Sequence, residues 1–137
     1  MKITICGTEY TLEEVRGWDV FNGWQVGPAG ERVRIGNDVR IGNDVRIGYG
    51  VRIGYDVRIG NDVRIGYGVR IGYYVQIGND VRIGYDVRIG DDVQIGNNVR
   101  IGDDAEIGDY VQMSNGTTVA EDLLKSKLTG GKQNGRS

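Results

Sequence analysis

The sequence contains no histidine, one cysteine, one proline and one phenylalanine among its 137 residues. Each scarcity removes something. Without histidine there is no imidazole to serve as a general base or a metal ligand. Cys6 has no partner in the chain for a disulfide and reads as a small buried apolar residue. With a single proline, the 24 glycines do not belong to a Pro/Gly-rich linker; they read as glycines required at particular backbone positions. Net charge is also small, at −2 from 17 basic and 19 acidic side chains, so there is no bulk bias toward nucleic acid or membrane. No basic-then-apolar leader opens the sequence and no apolar run nears the ~20 residues of a membrane span. A soluble, cytoplasmic chain without membrane contact is the expectation, and the length suits one domain.

What is present is a repeat. From Val33 onward the unit is Val-Arg-Ile-Gly-x-x. Isoleucine recurs every six residues from Ile35 to Ile107 without a slip, always followed by Gly and always preceded two residues earlier by Val, Ala105 excepted. A decayed unit follows at Val111–Gly116. Period six fits neither a heptad nor a 3.6-residue helix. Val and Ile two apart lie on one side of an extended strand and Arg on the other. Each hexad therefore predicts a very short strand, apolar side in. Gly lets the chain bend, and the Asn, Asp and Gly of the last two positions suit a corner with positive φ.

A longer period lies over the first. Two residues after each Ile, every third hexad carries Asn: Asn43, Asn61, Asn79, Asn97, Asn115. The next column reads Tyr49, Tyr67, Tyr85, Asp103, and the remaining one Asn37, Tyr55, Tyr73, Asp91, Asp109. Three hexads thus make an 18-residue coil, equivalent residues stack in ladders, and the cross-section is a triangle. At ~4.8 Å per strand the prism is roughly 20 Å tall.

The flanks read as caps. Lys2–Cys6 alternates like a strand, Thr8–Tyr10 can return beside it, and Thr11-Leu12-Glu13-Glu14 is a capping box for a short helix stopping near Gly17. Trp18, Phe21 and Trp24 are placed to cover the first coil, and Val26-Gly27 imitates a hexad out of register. Thr118–Glu121 fits a second capping box, with Leu123, Leu124 and Leu128 at helical spacing. The expected organisation is an N-terminal cap over 1–32, a hexapeptide β-helix over 33–116, a C-terminal α-helix over 117–129 and a disordered tail over 130–137.

The unit Val33-Arg34-Ile35-Gly36-Asn37-Asp38 closely resembles the bacterial hexapeptide-repeat superfamily, over residues 33–116. The resemblance implies an all-β, left-handed parallel β-helix and a homotrimer; the left hand comes from the resemblance alone. It also implies acyl- or acetyltransferases using acyl-CoA or acyl carrier protein, or zinc enzymes of the carbonic anhydrase kind. Those activities use histidines, so no catalytic, cofactor-binding or metal-binding residue carries over to this chain. The long loop that often interrupts the coils of the transferases is missing between 33 and 116. The near-identity of the repeats fits recent duplication or consensus design.

Two groups of candidate site residues remain. Outward arginines form columns: Arg34, Arg52, Arg70, Arg88, then Glu106; Arg46, Arg64, Arg82, Arg100; and Arg40, Arg58, followed by Gln76, Gln94, Gln112. They could bind a polyanion, or they could be a solvated face whose heads pair with Asp38, Asp44, Asp56, Asp62, Asp80 and Asp86. The second group is Tyr49, Tyr67, Tyr85, Tyr55, Tyr73 and Tyr74, corner aromatics suited to subunit contact or to stacking on each other. The acids Asp91, Asp92, Asp103, Asp104, Glu106 and Asp109 lack the dense pattern of calcium repeats. An ice-binding face would need short uncharged residues where Arg stands. The leading expectation is a non-catalytic, self-associating structural solenoid. The alternatives are an acyltransferase-like protein with an atypical base, Asp or Tyr at a subunit interface, and a polyanion-binding module; nucleic acid is an unfavoured ligand.

Overall fold

The computed structural model describes residues 2–119. These form a parallel β-solenoid of about five turns with 18 residues per turn. Its three faces are three sheets. One stacks Val45–Ile47, Arg64–Ile65, Arg82–Ile83, Arg100–Ile101 and Thr118–Val119; the next stacks Arg32–Ile35, Val51–Ile53, Arg70–Ile71, Arg88–Ile89 and Glu106–Ile107; the third runs from Arg40–Ile41 to Gln112–Met113. Register is residue on equivalent residue, Arg70 between Arg52 and Arg88, Ile71 between Ile53 and Ile89. All the Val and Ile of the hexads are buried, in one continuous core.

The backbone explains the hexad position by position. From Val39 to Val111 the residue before the Val position sits in the left-handed region, with φ near +58° at Asp38, Asp44 and Asp56. Asp, Asn and Gly tolerate that conformation; Tyr74 and Tyr110 adopt it too, at 59° and 63°. The glycine after each Ile has a different task from the bend expected of it. Its φ is ordinary, but coils meet closely there: a Cβ on Gly78 would lie 2.8 Å from the carbonyl carbon and oxygen of Gly96. The asparagine ladder has its own reason. The backbone N–H of Asn43, Asn61, Asn79 and Asn97 donates to the side-chain Oδ1 of the asparagine one coil later, each at 2.8 Å.

The N-terminal segment closes the prism. Strand β1 (Lys2–Ile5) pairs parallel with Val45–Ile47 and puts Ile3 and Ile5 into the core, so it acts as an extra rung. Its Ile-Thr-Ile alternation copies the hexad's apolar-polar-apolar order. Strand β2 (Thr8–Thr11) returns antiparallel. Helix α1 (Leu12–Arg16) opens on the expected capping box and ends at Gly17. Arg16 Nη2 ties it to the carbonyl of Gly36 at 2.8 Å. The hairpin of β3 (Asp19–Phe21) and β4 (Trp24–Val26) lies antiparallel on β5 (Arg32–Ile35). Tyr10, Leu12 and Trp18 pack on the core, with Tyr10 and Trp18 edge to face at 4.8 Å.

Three expectations change. Phe21 covers nothing and is 60% exposed. Cys6 is exposed rather than buried, because it stands past the inward Ile5 with φ 51°, where a hexad has its glycine. Thr118–Val119 does not start a helix; it is a strand on Arg100–Ile101, so the coils run past 116. Val119 offers an apolar side chain under Ile101, and the N–H groups of Arg100 and Gly102 donate to Thr117 and Val119. Core burial and two ladder bonds outweigh the local capping preference. The rest of the expected C-terminal helix, and the tail, lie outside the described residues.

Candidate functional site: three unlike faces

The strands turn every Arg-position side chain outward, and the corners give each face its own character. The first, the arginine–aspartate face, carries Arg46, Arg64, Arg82 and Arg100 in register. Asp44, Asp62 and Asp80 line its leading corner. Together they border a groove of about 520 Å³. The second, the arginine–tyrosine face, carries Arg34, Arg52, Arg70 and Arg88 and ends on Glu106. Its leading corner holds Gly50 and Gly68 where the arginine–aspartate face holds Asp44 and Asp62. The third, the glutamine face, begins with Arg40 and Arg58 and continues with Gln76, Gln94 and Gln112.

The tyrosines form walls at two corners. Tyr55 and Tyr73 stack at 4.3 Å, within 10° of parallel, and Tyr74 meets Tyr55 edge-on at 5.9 Å. Tyr67 and Tyr85 stack at 4.9 Å in the column headed by Tyr49. All six are 43–58% exposed. Such pairs contribute ~0.5–1.5 kcal/mol beyond area burial. The column 49–67–85 walls a groove of about 1100 Å³ that also touches Arg46, Arg64 and Cys6.

The arginines do not pair with the corner carboxylates. Among the described residues the only ion pair within 4.0 Å joins Lys2 to Glu9. In water the attraction of such pairs scarcely exceeds the cost of immobilising two side chains. Instead Arg34 and Arg52 lie over the ring of Trp24, at 5.7 and 4.6 Å, and Arg34 Nε donates to the carbonyl of Gly23 at 2.7 Å. Burial, with Arg70 and Arg34 as like-charged neighbours, lowers the pKa of the half-buried Arg52. The Trp24 contact was not legible in the sequence, since Trp24 is off the hexad register. The glycine-for-aspartate change at 50 and 68 was written there.

Among the described residues Glu31, 3% exposed, is the buried acid. Its Oε1 accepts from Ala29 N–H at 2.9 Å and its Oε2 from the Tyr10 hydroxyl. Burial alone would raise its pKa, but these hydrogen bonds outweigh that and hold it below the usual carboxylate value. The thiol of Cys6 is pushed up by partial burial and by the charge of Glu31, which lowers its thiolate fraction. The last-coil acids serve the backbone: Asp91, Asp103 and Asp109 accept from Tyr73, Tyr85 and Asp91 N–H at 2.8–2.9 Å. No three acidic or cysteine side chains converge among the described residues. No described helix is long and apolar enough to cross a membrane.

The Tyr10–Glu31 bond has a pH signature. The hydrogen bond to Glu31, burial and the Glu31 charge push Tyr10 up to about 12. A folded-state pKa above the unfolded one contributes stability in full below pH ~10, and that contribution is lost as the pH rises toward 12. Phenolate absorbance is expected to show a late-titrating tyrosine, missing in Tyr10→Phe, with Trp18 fluorescence changing in the same step. Titration of all eight tyrosines in one step near pH 10 would contradict it.

The family described as bacterial transferase hexapeptide (six repeats) matches residues 38–73 and 86–121, together just over half of the chain. No curated protein matches it.

Proposed function

We propose that this chain, which belongs to the bacterial transferase hexapeptide-repeat family, is a non-catalytic structural scaffold that associates with further copies of itself through its glutamine face. The observation that carries the reading is the run Gln76, Gln94, Gln112. In an outward position that is Arg on ten other rungs, three successive coils of one face carry an uncharged amide instead. A guanidinium buried in an interface without a partner costs far more than a buried amide, and aromatic side chains are enriched at interface centres. Tyr74 and Tyr110, 51% and 67% exposed, border the same strip. The unbroken coils and absent histidine support the non-catalytic part. The transferase-like alternative, with an Asp or Tyr base at a subunit interface, has no comparable observation behind it.

Light scattering is expected to give a multiple of 15.1 kDa. Three copies, the number the family resemblance implies, would satisfy the reading as well as two. Gln94→Arg should weaken association at least tenfold without disturbing the fold, since ten other rungs carry Arg at this position. A 15.1 kDa particle at all concentrations, or saturable micromolar binding of acetyl-CoA, would sink the proposal.

A further inference from the structure

We infer that the arginine–tyrosine face is a binding site for an acidic polysaccharide. Arg34, Arg52, Arg70 and Arg88 stand one above another. At ~4.8 Å per rung they present four guanidinium forks over about 14 Å. The leading corner lacks the aspartate found beside Arg46, Arg64 and Arg82, because Gly50 and Gly68 replace it; acid returns only at Asp86. The trailing corner beside Arg52 and Arg70 holds Tyr55 and Tyr73, and the acids of that corner, Asp38 and Asp56, line a groove with Arg40 and Arg58 of the next face. The column therefore has fewer acids beside its upper rungs than the Arg46–Arg82 column, although the whole chain is net negative. Glu106 ends it below, and Trp24 holds Arg34 and Arg52 in place above. Guanidiniums fixed in advance lose less freedom on binding sulfate or carboxylate, which they can grip with two parallel hydrogen bonds.

The walls select the kind of polyanion. A single-stranded nucleic acid gains its affinity by stacking bases on free aromatic faces. Here Tyr55 and Tyr73 cover each other, as do Tyr67 and Tyr85. They offer ring edges and hydroxyls, which suit the hydroxyl-rich backbone of a sugar chain better than a base. The inference does not depend on self-association; a monomer would satisfy it.

The test is calorimetry and affinity chromatography of the full chain with heparin oligosaccharides at physiological salt. Arg52→Gln with Arg70→Gln should lose at least tenfold in affinity. Gln already occupies this rung position on the glutamine face, so the fold should survive. Arg64→Gln with Arg82→Gln makes the same charge change on the arginine–aspartate face and should cost less than threefold. Gly50→Asp, restoring the usual corner acid in open space, should also weaken binding. Equal losses from both double variants, or elution of the wild type in the flow-through, would overturn the site. Binding of oligothymidylate or inorganic polyphosphate as tightly as heparin would overturn the choice of a polysaccharide.

Discussion

Replacing Ile71 with aspartate is expected to leave the chain without a cooperative fold at 25 °C. Ile71 is 4% exposed at mid-height in the core, with Ile53 on one side and Ile89 on the other. The substitution removes about 2–5 kcal/mol of apolar packing. It also places a carboxylate where no partner can reach it, and the effective cost of burying a charge is several kcal/mol more. Together these approach the 5–15 kcal/mol total of a small domain. A solenoid has little way round the defect, because each rung stacks only on its neighbours. Circular dichroism and urea unfolding should show the loss. Arg70→Asp, one residue away on the outer side, should change the midpoint little, since Glu106 already occupies that column. A cooperative transition near the wild-type midpoint for Ile71→Asp would mean that the core is not packed as described.

Gly78→Ala carries the second-largest expected effect, about 3 kcal/mol of destabilisation. The added methyl would meet the Gly96 carbonyl group at 2.8 Å and displace the amide of Asn97. Backbone cannot yield like a flexible side chain, and overpacking a tight site costs ~1–3 kcal/mol. The bond from Asn79 N–H to Asn97 Oδ1 goes with it, for ~1 kcal/mol more. Gly50→Asn is the contrast: φ is +74° and nothing lies within 4 Å of a new Cβ. Because Asn tolerates that backbone, the change should stay within about 1 kcal/mol. Chemical denaturation separates the two. Equal effects would refute the distinction between a glycine demanded by close approach and one demanded by φ.

Much of the candidate site could be read from the residues themselves. The columns Arg34–Arg88 and Arg46–Arg100 and the tyrosine ladders lie where the 18-residue period puts them. The corner glycines at 50 and 68 were visible too, but their meaning was not. It follows from the described arginines, none of which pairs with a corner acid. Trp24 could not be assigned to Arg34 and Arg52 in advance, because the β3–β4 hairpin runs antiparallel on the first coil, outside any register that a period reveals. Cys6 stands outside the core for a related reason. Its rarity and chemistry suggest burial, yet strand alternation from Ile3 and Ile5 sends it past the core.

The parallel coil, its three faces and its apolar ladder follow from residues six and eighteen apart, since alternation along a strand and repetition between coils are properties of the chain written in one dimension. The roles of glycine and asparagine within the hexad did not follow from them. Gly78 answers to a carbonyl one coil away and Asn61 to an N–H one coil back. Both contacts exist only when the coils are stacked at strand spacing. The end of the solenoid obeyed the same order of forces. A capping box at Thr118 was a local preference worth ~1 kcal/mol, and the pairing of Thr118–Val119 with Arg100–Ile101 was a contact across a whole coil. Ladder bonds and buried apolar area together exceed one cap, so the coil continued where local preference alone would have begun a helix.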